Sequence, residues 1–179
     1  QASGWILDRQ LVPRVVMGGI KKTNTAVVHY RASAQSAWKE IARFDMFKGP
    51  AMVPLAMEAD DKTLIVASNQ GRDTMAIFRF DPVTGEYLEQ LAQHPQFDMG
   101  ATPMGDSVDG LVFDSEDQEV LGLRVNAHRP QTVWFTEQYA RVQSLLDKAL
   151  PDRVNTFTLR KGQKAFVTSY SDIHPVRWY

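Results

Sequence analysis

The sequence predicts an all-β protein interrupted by a single helix. Three observations predict it. Most of the chain consists of short apolar or alternating runs, the period-two signature of strands. Turn-forming clusters separate these runs, as in "DPVTGE" (81–86), where Pro82 presets φ and Gly85 permits a positive φ. At Thr136 alone the period switches to that of a helix, for "TEQYARVQSLLDKALP" (136–151).

Taken in order, "VVHYR" (27–31) and "AWKEIARF" (37–44) read as two consecutive strands, the third and fourth of a unit. "PLAMEA" (54–59), "TLIVASN" (63–69), "MAIFRF" (75–80) and "YLEQLA" (87–92) read as a four-stranded meander, with the polar "QGRD" and the "DPVTGE" turn between its later strands. Four strands in about 40 residues is the size and connectivity of a β-propeller blade. "LVFDSEDQEVLGLRVN" (111–126) is strand, acidic turn, strand, and "KAFVTSY" (164–170) repeats the pattern of "KTLIVAS" (62–68), each after a polar turn. Copies at a spacing of roughly 45 to 60 residues favour an array of blades over a sandwich. In the helical segment Tyr139, Val142, Leu145, Leu146 and Leu150 fall on one face, Thr136 is placed to cap, Glu137 suits the first turn and Pro151 ends the run. The expected architecture is a partial β-propeller of roughly three to four antiparallel blades. The helix at 137–149 is inserted where one blade has its outer strand.

Lys and Arg number 20 against 21 for Asp and Glu. So balanced a chain gives no electrostatic reason to expect nucleic acid or an anionic membrane as partner. No apolar run reaches the roughly 18 residues of a membrane span. The chain has no cysteine, which excludes disulfides, thiolate zinc sites and a cysteine nucleophile. That absence leaves the compartment open, with a periplasmic or secreted location favoured over the cytoplasm. The chain begins at Gln1 rather than methionine and shows no signal peptide, which predicts a processed protein or a piece of a longer one.

Several residue groups invite a chemical reading. "MGDSVDG" (104–110) approaches the Gly-x-Ser-x-Gly nucleophile elbow, but Asp109 stands where the second glycine belongs. An elbow needs a buried strand before the serine and a helix after it. Here "ATPMGD" precedes and the strand-like "LVFD" follows, so Ser107 reads as a turn serine. His29, His94, His128 and His174 form no local metal pair and read as surface or structural histidines. "EADD" (58–61) and "DSED" (114–117) lack the spaced oxygen ligands of a calcium loop and read as hairpin tips whose carboxylates bond their own turn backbone. No cofactor or metal is expected. Trp5, Trp38 and Trp178 read as packing between sheets.

Longer phrases of the chain resemble a known family. "FRFDPVTGEYLEQLAQHPQFDMG" (78–100), "VDGLVFDSEDQEVLGLRVNAHRPQTVWF" (108–135), "LDKALPDRVN" (146–155) and "SYSDIHPVRWY" (169–179) are similar to the N-terminal propeller of bacterial serine peptidases of the prolyl oligopeptidase family. The likeness is to members described as acylaminoacyl-peptidase or dipeptidyl aminopeptidase related, and it spans nearly the whole chain. In that family the propeller caps an α/β-hydrolase domain carrying a Ser-Asp-His triad and admits short peptides while excluding folded proteins. The resemblance implies that residues 1–179 are an incomplete propeller domain whose catalytic partner domain lies outside this chain. No catalytic residue carries over, because no position matches a triad motif.

The partners implied are the hydrolase domain of the same protein and short peptides, and an open array of blades is also expected to self-associate. A stand-alone binding or scaffold propeller is the alternative. Around "NAHRPQTVWF" (126–135), Arg124 before it and Arg129 within it flank a long hairpin tip, with Trp134 and Phe135 following. An arginine holds a carboxylate bidentately, which makes these two the candidate contacts for a peptide terminus. The competing reading is exposed arginines beside a strand whose aromatics pack between blades.

Overall fold

A computed structural model describes residues 2–102, 104, 110–114, 116–159 and 165–179. The chain divides into two compact units, Gln1–Val108 and Asp109–Tyr179.

The first unit is built from two four-stranded antiparallel meanders. One runs β1 (Ala2–Leu7), β2 (Pro13–Ile20), β3 (Thr25–Tyr30), β4 (Lys39–Asp45), each strand bonded to the next in sequence. The other runs β5 (Met52–Met57), β6 (Leu64–Ser68), β7 (Ala76–Asp81), β8 (Glu86–Ala92) in the same order. The meander expected over 54–92 is therefore present. The strands expected at 27–31 and 37–44 are the third and fourth of the sheet before it. That sheet's first two strands were not legible: "ASGWIL" is exposed along most of its length and "PRVVMGGI" carries two adjacent glycines, so neither alternates cleanly.

Burial follows position in the sheet. All five residues of β6 are buried, which is why "LIVAS" reads as a continuous apolar run rather than an alternation. On β3 the buried Ala26, Val28 and Tyr30 share one face. The turns behave as their residues require. Asp81 Oδ1 accepts the Val83 and Thr84 N–H groups, and Gly85 takes φ 84° while its N–H returns to the Asp81 carbonyl.

The two sheets of this unit meet through their first strands, β1 lying beside β5. A buried polar cluster ties the same region together. Arg14 donates to Asp8 Oδ2 at 3.0 Å, to the Arg31 carbonyl at 2.9 Å and to the Asp61 carbonyl at 3.1 Å. It thereby links the β1–β2 connection to the β5–β6 hairpin. Farther out, Arg79 on β7 pairs with the buried Glu58 at 2.9 Å and with Glu89 on β8 at 2.5 Å.

The second unit holds two three-stranded antiparallel sheets and the helix. Strands β9 (Gly110–Phe113), β10 (Val120–Asn126) and β11 (Pro130–Trp134) form one sheet, with β10 central. Strands β12 (Val154–Thr158), β13 (Phe166–Tyr170) and β14 (Arg177–Trp178) form the other. Both β6 and β13 stand second in their sheets, as the likeness between "KTLIVAS" and "KAFVTSY" implies. The "RKGQ" turn lies outside the described residues.

Helix α1 (Glu137–Ala149) has the bounds the sequence gives it, but not the packing. None of its residues is fully buried, and Leu145 is 66% exposed. Thr136 is the N-cap by backbone geometry, yet its hydroxyl makes no cap hydrogen bond and sits buried without a partner. The helix is held instead by rings and amides. Trp134 stacks on Tyr139 at 5.2 Å and meets Phe157 at 4.8 Å between ring centres. Gln143 accepts from the Trp134 indole at 3.2 Å and donates to Asp147 at 3.0 Å and to the Asn155 carbonyl at 2.9 Å. Trp134 thus packs under the helix, within its own unit.

Candidate functional site

A slot of about 430 Å³ opens where β1 meets β5. Side chains alternate between the two faces of a strand, so a pocket lying on one face takes every second residue. This slot takes four consecutive residues of β1, Ser3 to Ile6, and three of β5, Val53 to Leu55. It therefore wraps the edges of both strands. Its floor is Val15 and Met17, the cross-strand partners of Ile6 and Gly4. Met104 completes the lining, and none of the described lining residues is charged. Gly4 has open space where a side chain would be, and Trp5 beside it is 55% exposed.

The edge of β1 is held in place by chemistry just beyond it. The Asp8 carboxylate takes the Val12 and Gln10 N–H groups at 2.9 and 3.0 Å, closing the turn out of β1, and pairs with Arg14. Burial alone raises the Asp8 carboxyl, but the two backbone donors and Arg14 outweigh it and hold the group below its ordinary value. Trp5 meets Trp38 edge to face at 5.9 Å, and the Arg31 guanidinium lies 4.7 Å over the Trp38 ring.

The residues singled out in the sequence do not converge on a site. Arg124 lies mid-strand on β10, exposed and opposite Thr132, whereas Arg129 is in the three-residue bend between β10 and β11. The Asn126–Pro130 pair closes that bend, so the hairpin tip is short rather than long. The two cations stand at different levels of the hairpin. Ser107 lies outside the described residues. Trp5, Trp38 and Trp178 are exposed rather than packed between sheets.

The acidic turns behave as hairpin tips. Asp60 Oδ1 accepts the Lys62 and Thr63 N–H groups, each at 2.8 Å. Asp114 Oδ1 accepts those of Glu116 and Asp117 at 2.7 and 3.2 Å. Glu58 is an ion-pair partner of Arg79. Among the described residues no group of three His, Asp or Glu side chains is placed to hold a metal ion.

Sequence reasoning missed one Ser–His contact. Ser171 Oγ lies 3.1 Å from His174 Nδ1. The same oxygen accepts the His174 N–H at 3.1 Å, and the Ser171 N–H returns to the His174 carbonyl at 3.2 Å. The hydroxyl is thus engaged in closing the tight "SDIH" turn before β14. The signal for it was the serine three residues ahead of a His-Pro pair.

No protein-family model, curated protein or solved structure matches this chain.

Proposed function

We propose that this chain supplies blades of a β-propeller in a serine peptidase of the prolyl oligopeptidase family, capping the active site and admitting short peptides by size. The observation that supports this most is the succession of two four-stranded antiparallel meanders whose first strands lie side by side. Blades following one another around a channel have this connectivity and this inner-strand contact. The third and fourth sheets repeat the antiparallel connectivity with three strands each, the helix following the last strand of the third. The family comes from the resemblance of the phrases at 78–100, 108–135, 146–155 and 169–179.

The role assigned to the chain is non-catalytic. Acyl transfer by serine needs a nucleophile, a base that takes its proton and donors placed for the developing oxyanion. The Ser171 hydroxyl, the one found beside a histidine among the described residues, is engaged by a backbone N–H in a turn. The triad belongs to the hydrolase domain that the propeller covers, and peptides are what passes between them.

The test is a comparison of this chain with the same chain in its complete gene product. The chain alone is expected neither to react with a fluorophosphonate probe nor to hydrolyse aminoacyl or peptidyl chromogenic substrates, while the complete product does both. Labelling of Ser107 in the chain alone, abolished by Ser107→Ala, overturns the reading. A complete product inert in both assays overturns it in favour of a stand-alone binding propeller.

A further inference from the structure

We infer that one buried water bridges Asn155 Oδ1 and Ser169 Oγ and completes the seat of α1 on the sheet of β12, β13 and β14. Both side chains are shut off from solvent, Asn155 at 6% exposure and Ser169 at 0%. Neither Asn155 Oδ1 nor Ser169 Oγ has a hydrogen-bond partner among the described residues. A buried polar atom left unpaired is costly, so even one calls for an explanation. Here two belong to residues that stand directly opposite each other on β12 and β13.

The register brings their side chains together. Val167 exchanges both of its backbone hydrogen bonds with Tyr179, on the far side of β13 from β12. Ser169, two residues on, turns its backbone the same way, which makes Asn155–Ser169 a pair without backbone bonds between its members. Side chains approach more closely in such a pair than in a bonded one. The Asn155 carbonyl accordingly serves α1 instead, accepting from the Gln143 amide at 2.9 Å. In the matched phrases "KTLIVAS" and "KAFVTSY", Ala67 stands where Ser169 does, and its partner is Val53. That pair is buried and apolar and needs no hydrogen bond. Asn155 and Ser169 put two polar groups in the same place.

Turning the Asn155 amide round does not help. Its Nδ2 donates to Asp147 Oδ1 at 2.9 Å and to the Leu150 carbonyl at 3.0 Å, and both of these are acceptors. Oδ1 is thus the atom that needs a donor. A water donates to Oδ1 and accepts from the Ser169 hydroxyl, and two polar partners are enough to hold it. It extends to β13 the ties that Asn155 makes to the end of α1. Such ties matter to a helix that has no fully buried residue.

The test pairs a crystal structure of the full chain with urea unfolding of two variants. Ordered density is expected about 2.7–3.2 Å from both Asn155 Oδ1 and Ser169 Oγ. Ser169→Cys nearly keeps the side-chain volume and exchanges a strong hydrogen-bonding group for a weak one. It is expected to raise the unfolding equilibrium constant roughly two- to tenfold, seen as a lower urea midpoint. Ser169→Ala is expected to act in the same direction. The sign decides the matter: if no water meets the hydroxyl, replacing it relieves an unpaired buried group and the midpoint rises. A Ser169→Cys midpoint equal to or above that of wild type overturns the proposal. So does a crystal structure in which the two side chains bond each other directly, or in which no density lies between them.

Discussion

Asp8 and Arg14 form a buried ion pair at 3.0 Å, and each also holds backbone that the other does not reach. Asp8 closes the turn leaving β1, while Arg14 carries on to the carbonyls of Arg31 and Asp61. Removing one member of such a pair leaves a buried charge uncompensated, which costs about 3–5 kcal/mol. Asp8→Asn is therefore expected to lower the urea midpoint of the first unit markedly at neutral pH. A midpoint within error of wild type shows that the cluster contributes nothing.

The same carboxylate gives a pH dependence with a defined sign. Its folded value lies below the ordinary one, so its stabilisation is present above the unfolded value, about 3.9. It is lost as pH falls through the folded value. Arg14 stays charged throughout. Asp60, likewise lowered because its turn N–H groups outweigh burial, acts in the same direction. Urea midpoints are expected to hold from neutral pH down to about pH 5 and to fall below pH 4. In Asp8→Asn that acid slope should be shallower. An equal slope in wild type and variant assigns the acid sensitivity elsewhere.

Gly122 is the point where β10 passes closest to its neighbour. A Cβ there would lie 2.6 Å from the Val133 carbonyl oxygen and 3.2 Å from Trp134. Because the first of these is backbone, the hairpin itself has to move. Gly122→Ala is expected to cost about 1–3 kcal/mol by overpacking, visible as a lowered thermal transition with Trp134 fluorescence shifted. Gly110→Ala, with open space around its Cβ, is the matched control. Equal effects of the two substitutions would reject the close-approach explanation.

How far the sequence revealed this structure depended on where each element's stabilising contacts lie. Local chemistry was readable. Gly85, Asp81, Asp60 and Asp114 make their turns with their own neighbours, and β5 to β7 bury most of their apolar residues in register, so pattern and structure agree there. Contacts across sequence were not readable. Leu145 completes an apolar stripe on α1 yet faces solvent, because the helix is seated by Trp134, Gln143 and Asn155. Trp5 and Trp178 look like core residues by type, but they stand on edge strands and are exposed. Arg124 and Arg129 were chosen for their charge, and nothing in their spacing stated that strand and bend would separate them. The slot along β1 left no motif at all.

The last expectation concerns the sheet of β12, β13 and β14. Opposite residues in paired strands share a face, so Thr156, Thr168 and Trp178 lie in one row and Thr158 and Phe166 in the next. The other face buries Asn155, Phe157, Val167 and Ser169. The outward face holds no charged residue in these rows, and Trp178 and Phe166 are 65% and 57% exposed. An uncharged face of threonines with two exposed aromatics is an apolar patch of the kind that recruits partners. The chain is therefore expected to bind a hydrophobic dye and to show concentration-dependent association by light scattering. Trp178→Lys with Phe166→Lys should suppress both without lowering the urea midpoint, since neither side chain contributes to the buried face. A dye-negative wild-type monomer at high concentration contradicts this. Association relieved by Trp5→Lys instead transfers the contact to the edge of β1.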